Sequence, residues 1–237
     1  MKMDEKFSSL IDVRNSDLWN DLNNNHHIVL EEADEPGYIT QFLDDRIRIE
    51  VDMDALNPAS LTHELLHIEL KDRGVCIARD LKQAIENNTE TRELFSDSLT
   101  EHLGNCLEHY KMLPLYLSRG FKNQDFVADY HKPVMDEEGL LELRRTFKLN
   151  GAISRYAADT YIGKFFSMKT SNNKHYDYGD MYTGLLQLEP ELFHILEKFW
   201  NTWREYDPGD PATFYQHDLQ EMVEGLSDWK KDKRMVS

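Results

Sequence analysis

Cysteine is nearly absent. The chain has 237 residues and two cysteines, Cys76 and Cys106. Two isolated thiols make neither a disulfide framework nor a paired CxxC knuckle, which excludes a disulfide-stapled mini-fold and a thiolate-held structural metal. Both thiols are expected to be reduced and packed in the core. Long apolar runs are missing too. No stretch approaches the ~20 apolar residues of a membrane span. The opening Met1-Lys2-Met3-Asp4-Glu5-Lys6-Phe7 lacks the apolar run of a secretory signal. A cytoplasmic protein without a membrane partner is expected. Positive charge is in short supply: 27 basic against 44 acidic residues leave a net charge of −17. Such a field repels phosphate backbones, so nucleic acid is not an expected partner. There is no GxGxxG, GxxxxGK[ST] or GxSxG, hence no nucleotide loop and no serine-hydrolase elbow.

What is there suffices for a globular protein. Hydrophobic residues make up 40 % of the chain, and its length can bury a sizeable core. Three strand-like pieces lie near the N-terminus, after a weakly helical stretch over 8–25. They are Ile28-Val29-Leu30, then 38–43 after Pro36-Gly37, then 46–51 after Asp44-Asp45. The third alternates apolar and charged residues, as a strand buried on one face does. From Pro58 onward the periodicity turns helical, over 58–72, 77–87, 90–118, 122–131, 137–168, 179–187, 190–206 and 211–230. The expected fold class is α+β: a small, mostly antiparallel N-terminal sheet and a large helical remainder. A weak boundary divides a metal-binding region over 1–135 from a helical one over 136–237, the alternative being one continuous domain.

The chemistry concentrates in His63-Glu64-Leu65-Leu66-His67. A helix stacks residues four apart on one face, so His63 and His67 can share one ion. Glu64 is turned by ~100° from His63. That offset keeps it out of the ligand set while letting it reach a water that the ion activates, as a general base. The surroundings suit a helix, with Pro58 ahead of it, Ser60 and Thr62 in the first turn, and Leu61, Leu65, Leu66, Ile68 and Leu70 along it. The two leucines inside the motif predict a helix buried on most sides. A buried imidazole pair needs partners, and an ion supplies one.

A catalytic zinc takes three protein ligands and leaves one position open. No histidine follows His67 at the HExxHxxGxxH spacing, so the third ligand must come from elsewhere. The best source is the segment from Glu101 to Tyr110, which begins 34 residues after His67. On a helical wheel Leu99, Leu103, Cys106, Leu107, Tyr110 and Leu113 form the core stripe. His102, Asn105 and His109 line its margin, and Glu101 and Glu108 lie opposite its centre. Geometry therefore favours His109, with His102 or Asn105 orienting a ligand.

The HELLH segment resembles that of the zincin metallopeptidases, and residues ~45–115 carry the likeness. In that family an edge strand lies over the substrate cleft with the HExxH helix beneath it. The order of 46–51 followed by 58–70 is similar. The chain departs from the family at Glu69, where an apolar or small residue is usual. A downstream Asn-x-x-Glu-His before a proline, here Asn105, Glu108, His109 and Pro114, is similar to a pattern in bacterial zincin-like proteins. The resemblance implies a gluzincin-like arrangement, Zn²⁺ as cofactor, a peptide or protein as substrate, and a glutamate as third ligand. That glutamate would be Glu108, so Glu108 and His109 both stand as candidates.

A tyrosine or histidine often stabilises the oxyanion opposite such a metal. Tyr156, Tyr161, His175, Tyr176 and Tyr178 are the candidates. The stripe Leu192, Phe193, Leu196, Phe199, Trp200 and Trp203 reads as helix core. The sequence points to a zinc-dependent hydrolase acting on amide bonds with Glu64 as general base. The alternative is a non-catalytic zincin-like module that acts through a partner protein.

Overall fold

The structure is a computed structural model and describes residues 5–210, 212–231 and 233–236. Met1–Asp4, part of the opening that bears on a leader, and Pro211, which begins the helix expected over 211–230, lie outside the described residues. The class is α+β, with many helices and, among the described residues, two three-stranded sheets. The chain divides into two compact units, one of Met1–Val75 with Lys111–His131, the other of Cys76–Tyr110 with Lys132–Ser237. This differs from a division at 135, because residues 76–110 go with the second unit. Among the described residues no helix is long and apolar enough to cross a membrane.

In the first unit, helix α1 (Ser16–Asn25) leads into strands β1 (Ile28–Glu32), β2 (Ile39–Phe42) and β3 (Ile47–Val51), then helix α2 (Pro58–Asp72). The strand order is β1-β3-β2. Two expectations need correction. The sheet is mixed rather than mostly antiparallel, since β1 joins β3 in parallel and only β2 is antiparallel. The alternating strand over 46–51 is central, not an edge. Its apolar face, Ile47, Ile49 and Val51, is buried as the alternation predicts, and the edge position falls to β2.

Helix α2 is well delimited. The Asn57 side chain accepts from the Ala59 N–H at 2.9 Å, and Pro58 occupies the first turn, where its missing N–H costs nothing. At the far end Gly74 has φ +82°, its N–H bonds to the Lys71 carbonyl, and the Val75 N–H bonds to that of Leu70. This pair of bonds closes a Schellman motif, which requires the left-handed conformation glycine adopts freely. Ala59, Leu61, Leu65, Leu66, Ile68 and Leu70 are buried, so the helix is enclosed on most sides as its leucines predict. Buried Asn15 ties α2 down by donating to the Thr62 hydroxyl at 3.0 Å and the Leu10 carbonyl at 2.9 Å.

The second unit begins with α3 (Ile77–Glu86), α4 (Thr89–Leu94) and α5 (Asp97–Ser118), which passes into the first unit after Tyr110. Gly104 lets α3 come close. A Cβ there would lie 2.5 Å from that of Ala78. The unit continues with α6 (Glu137–Phe147), β4 (Lys148–Leu149), β5 (Ala152–Ser154), α7 (Arg155–Thr170), α8 (Gly179–Leu188), α9 (Pro190–Glu205), α10 (Gln216–Lys231) and β6 (Met235–Val236). The stripe of α9 is buried as expected.

Three helical expectations fail locally. The helix over 137–168 is split by a β4–β5 hairpin, because Asn150 and Gly151 both take positive φ, 52° and 77°, the geometry of a two-residue hairpin turn. The helix over 90–118 breaks at Phe95–Ser96, where the Ser96 hydroxyl accepts from the Leu99 N–H at 3.0 Å and restarts it. The segment 122–131 holds only a 3-10 turn, Asn123–Asp125.

Candidate metal centre

Helix α2 places His63 and His67 one turn apart on the same face, with ring centroids at 5.1 Å. Phe126 lies against His63, its ring centroid 4.8 Å away. The third imidazole comes from His109 on α5, half a turn before that helix passes into the first unit. One ligand nitrogen from each of the three histidines can be chosen so that all lie within 4.8 Å of one another, and all three residues are half-buried. Among the described residues this is the group of histidine, cysteine and carboxylate side chains with the spacing to hold an ion. Glu108, the other sequence candidate, is not part of it.

The donor set fits a transition metal. Nitrogens no more than 4.8 Å apart lie within about 2.8 Å of a common centre, so a modest inward shift reaches the ~2.0–2.1 Å of a zinc–imidazole bond. Three imidazoles suit zinc, copper, iron or nickel and not the oxygen-seeking magnesium or calcium. Three neutral ligands also leave the charge of a divalent ion uncancelled, which keeps it a strong Lewis acid.

Glu64 adjoins this group from α2 and is 8 % exposed. Burial pushes its carboxyl above the ordinary glutamate value. The nearby His67 and a hydrogen bond from Thr40 pull in the other direction. That bond runs from the Thr40 hydroxyl to Glu64 Oε2 at 2.8 Å. Thr40 lies on β2, the sheet edge. Next to this edge, the Leu43 N–H bonds to the Arg46 carbonyl, and Phe42 and Thr40 stand opposite Ile47 and Ile49. Bonded and non-bonded pairs alternate along an antiparallel ladder. The main-chain N–H and C=O of Thr40 and Phe42 therefore point away from β3, toward the free edge. Thr40 is a residue the sequence did not single out. No motif marks it, because its role depends on which strand reaches Glu64.

The remaining candidates have other occupations. Glu69, the departure from the family pattern, pairs with Arg73 and, at 3.6 Å, with Arg119, so a charge there is accommodated. His102 meets the Ser167 hydroxyl at 2.7 Å and Cys106 Sγ at 3.5 Å, and Asn105 is exposed. The Tyr161 hydroxyl is committed to the carbonyls of Leu185 and Glu189 at 2.9 and 3.3 Å. Tyr178 accepts from the Val134 N–H at 3.0 Å. Tyr156 and His175 are exposed, and Tyr176 is half-buried. No protein-family model, curated protein or solved structure matches the chain.

Proposed function

We propose that the chain is a zinc-dependent hydrolase of the zincin-like kind that cleaves amide bonds in peptides. The observation that carries this reading is the convergence of three imidazoles, two of them on the helix that also carries a buried carboxylate. His63, His67 and His109 would hold the ion. When bound, zinc would supply Lewis acidity, acidifying a water and polarising a carbonyl.

The chain's own groups account for the rest. Glu64 Oε1 takes the proton from the attacking water, while Oε2 stays bonded to Thr40. The same carboxyl then returns the proton to the departing amine nitrogen, since an amide leaves poorly as an anion. Burial favours this shuttle, because a desolvated carboxylate is a stronger base than one in water. The free edge of β2 suits an extended peptide as substrate. The Phe42 N–H and C=O and the Thr40 C=O can pair with a peptide backbone, and Ile39, Phe42 and Leu43 expose apolar surface for its side chains.

The test has two parts. Metal content is measured on the purified, zinc-loaded protein and on H63A, H109A and E108A. Hydrolysis of a fluorogenic peptide library is measured for wild type and E64Q. One zinc per chain, lost in H63A and H109A but kept in E108A, is expected, with hydrolysis lost in E64Q at full zinc content. Wild type without stoichiometric zinc overturns the metal assignment. Full zinc with no cleavage of any peptide overturns the hydrolase and leaves the partner-binding alternative.

A further inference from the structure

We infer that Thr40 is a positioning residue for Glu64, so that a strand docked on β2 and the general base are linked through this residue. The inference rests on the reading of Glu64 as base. Three observations carry it. The Thr40 hydroxyl donates to Oε2 of Glu64 at 2.8 Å, and its distance of 3.5 Å to the Glu64 carbonyl makes the carboxylate the main acceptor. Glu64 is buried, and the Thr40 main-chain N–H bears on the same carboxylate as its hydroxyl, so both donors of this residue hold it. Thr40 also lies on the edge strand, and by the register with β3 its main-chain groups point away from β3, the N–H toward the Glu64 carboxylate and the C=O toward the strand's outer side.

A glutamate side chain has three rotatable bonds, and a base must sit within hydrogen-bond reach of the proton it takes. Holding Oε2 fixes the carboxylate plane and leaves Oε1 to act. A hydrogen bond to an ionised carboxylate is among the stronger ones in a protein. Because the anchor sits on β2, any backbone pairing that orders this strand also orders the base. The sheet edge therefore helps to set the base as well as to hold the substrate. Serine can keep this bond. Valine, with the same shape, cannot.

The experiment needs no natural substrate. Acetohydroxamate is titrated calorimetrically into the full-length, zinc-loaded protein. A hydroxamic acid gives up its O–H proton on chelating a metal, and the adjoining carboxylate is placed to receive it at Oε1. Zinc content and the thermal melt are recorded for each variant. The expected result is about tenfold weaker binding for T40V, the scale of one charge-assisted hydrogen bond. T40S is expected within about twofold of wild type, with zinc content unchanged in both. If T40V does not fold, T40A takes its place. T40V or T40A binding like wild type overturns the inference, and so does a T40S variant as weak as T40V. Wild type without zinc overturns this inference together with the proposed function. A Thr40-dependent hydroxamate affinity in a protein that cleaves no peptide leaves the positioning role standing and removes only the peptidase.

Discussion

Two enclosed charges, one in each unit, are treated in opposite ways. Lys230, with 6 % of its side chain exposed, is covered by two carboxylates, Glu90 at 3.0 Å and Glu93 at 2.6 Å. Desolvation lowers its pKa, but the hydrogen bonds to Glu93 and Glu90 outweigh that, so it stays above the usual lysine value. Glu64 is comparably enclosed but meets a hydroxyl and an imidazole, and its carboxyl is left above its ordinary value. The first charge is neutralised where it lies. The second is kept costly and basic, the state a proton shuttle needs and one a purely structural residue avoids.

The largest effect that would break this contrast concerns the ion. His67→Ala should reduce bound zinc from one equivalent to below about a tenth, as loss of one of three ligands does, with metal analysis after dialysis as the check. Retained stoichiometric zinc would mean that the imidazoles do not act together. Next comes Glu64→Gln, expected to lower peptide hydrolysis by at least about a hundredfold, the scale of general-base catalysis. The melting temperature of its zinc-free form should stay level or rise, because a desolvated charge is removed. A clear fall in that temperature would make Glu64 structural after all.

The counterpart in the second unit is Lys230→Met. It should cost about 1 kcal/mol in denaturant unfolding, since both partner carboxylates are partly open to water, and leave zinc content and hydrolysis untouched. The sign with pH follows from the raised pKa of Lys230. Its contribution is complete below the pKa of an unfolded lysine and is lost as pH rises through the folded value, so variant and wild type should converge in strong alkali. A gap that persists there would assign the loss to packing of the lysine stem. The smallest expected effect is that of Asn57→Ala, about 1 kcal/mol or less from the lost helix cap, seen as a lower midpoint with the zinc stoichiometry intact.

What could be read from the sequence follows how local each feature is. The pairing of His63 with His67 is fixed by one turn of helix, and α2 runs from Pro58 to Asp72 over the expected 58–72. His109 was reachable by a helical wheel, which shows a residue's side of the helix but not the neighbour it meets there. Glu108 stood beside it through family likeness, and only the folded arrangement separates them. The edge of the sheet was not legible. Alternation in 47–51 reports one buried face, and that holds equally for a central strand and an edge strand. Thr40 was hidden for the same reason. The β4–β5 hairpin did carry a local signal, Asn150-Gly151, but the helical periodicity of 137–147 and 155–170 runs up to it on both sides and reads as one helix when joined.

Keeping β2 uncovered has a consequence for the protein's behaviour in concentrated solution. An open edge strand flanked by Ile39, Phe42 and Leu43 is a template for pairing with any extended chain, including another copy of itself. The hairpin beside it carries Asp44 and Asp45, and the whole chain carries a net charge of −17. At low ionic strength mutual repulsion keeps copies apart, whereas a short peptide bearing few acidic groups can still approach. Salt shortens the reach of that repulsion to a few ångströms at about 1 M. The same surplus of acid thus protects the strand from self-association, and a protein stored in high salt would lose that protection first at β2.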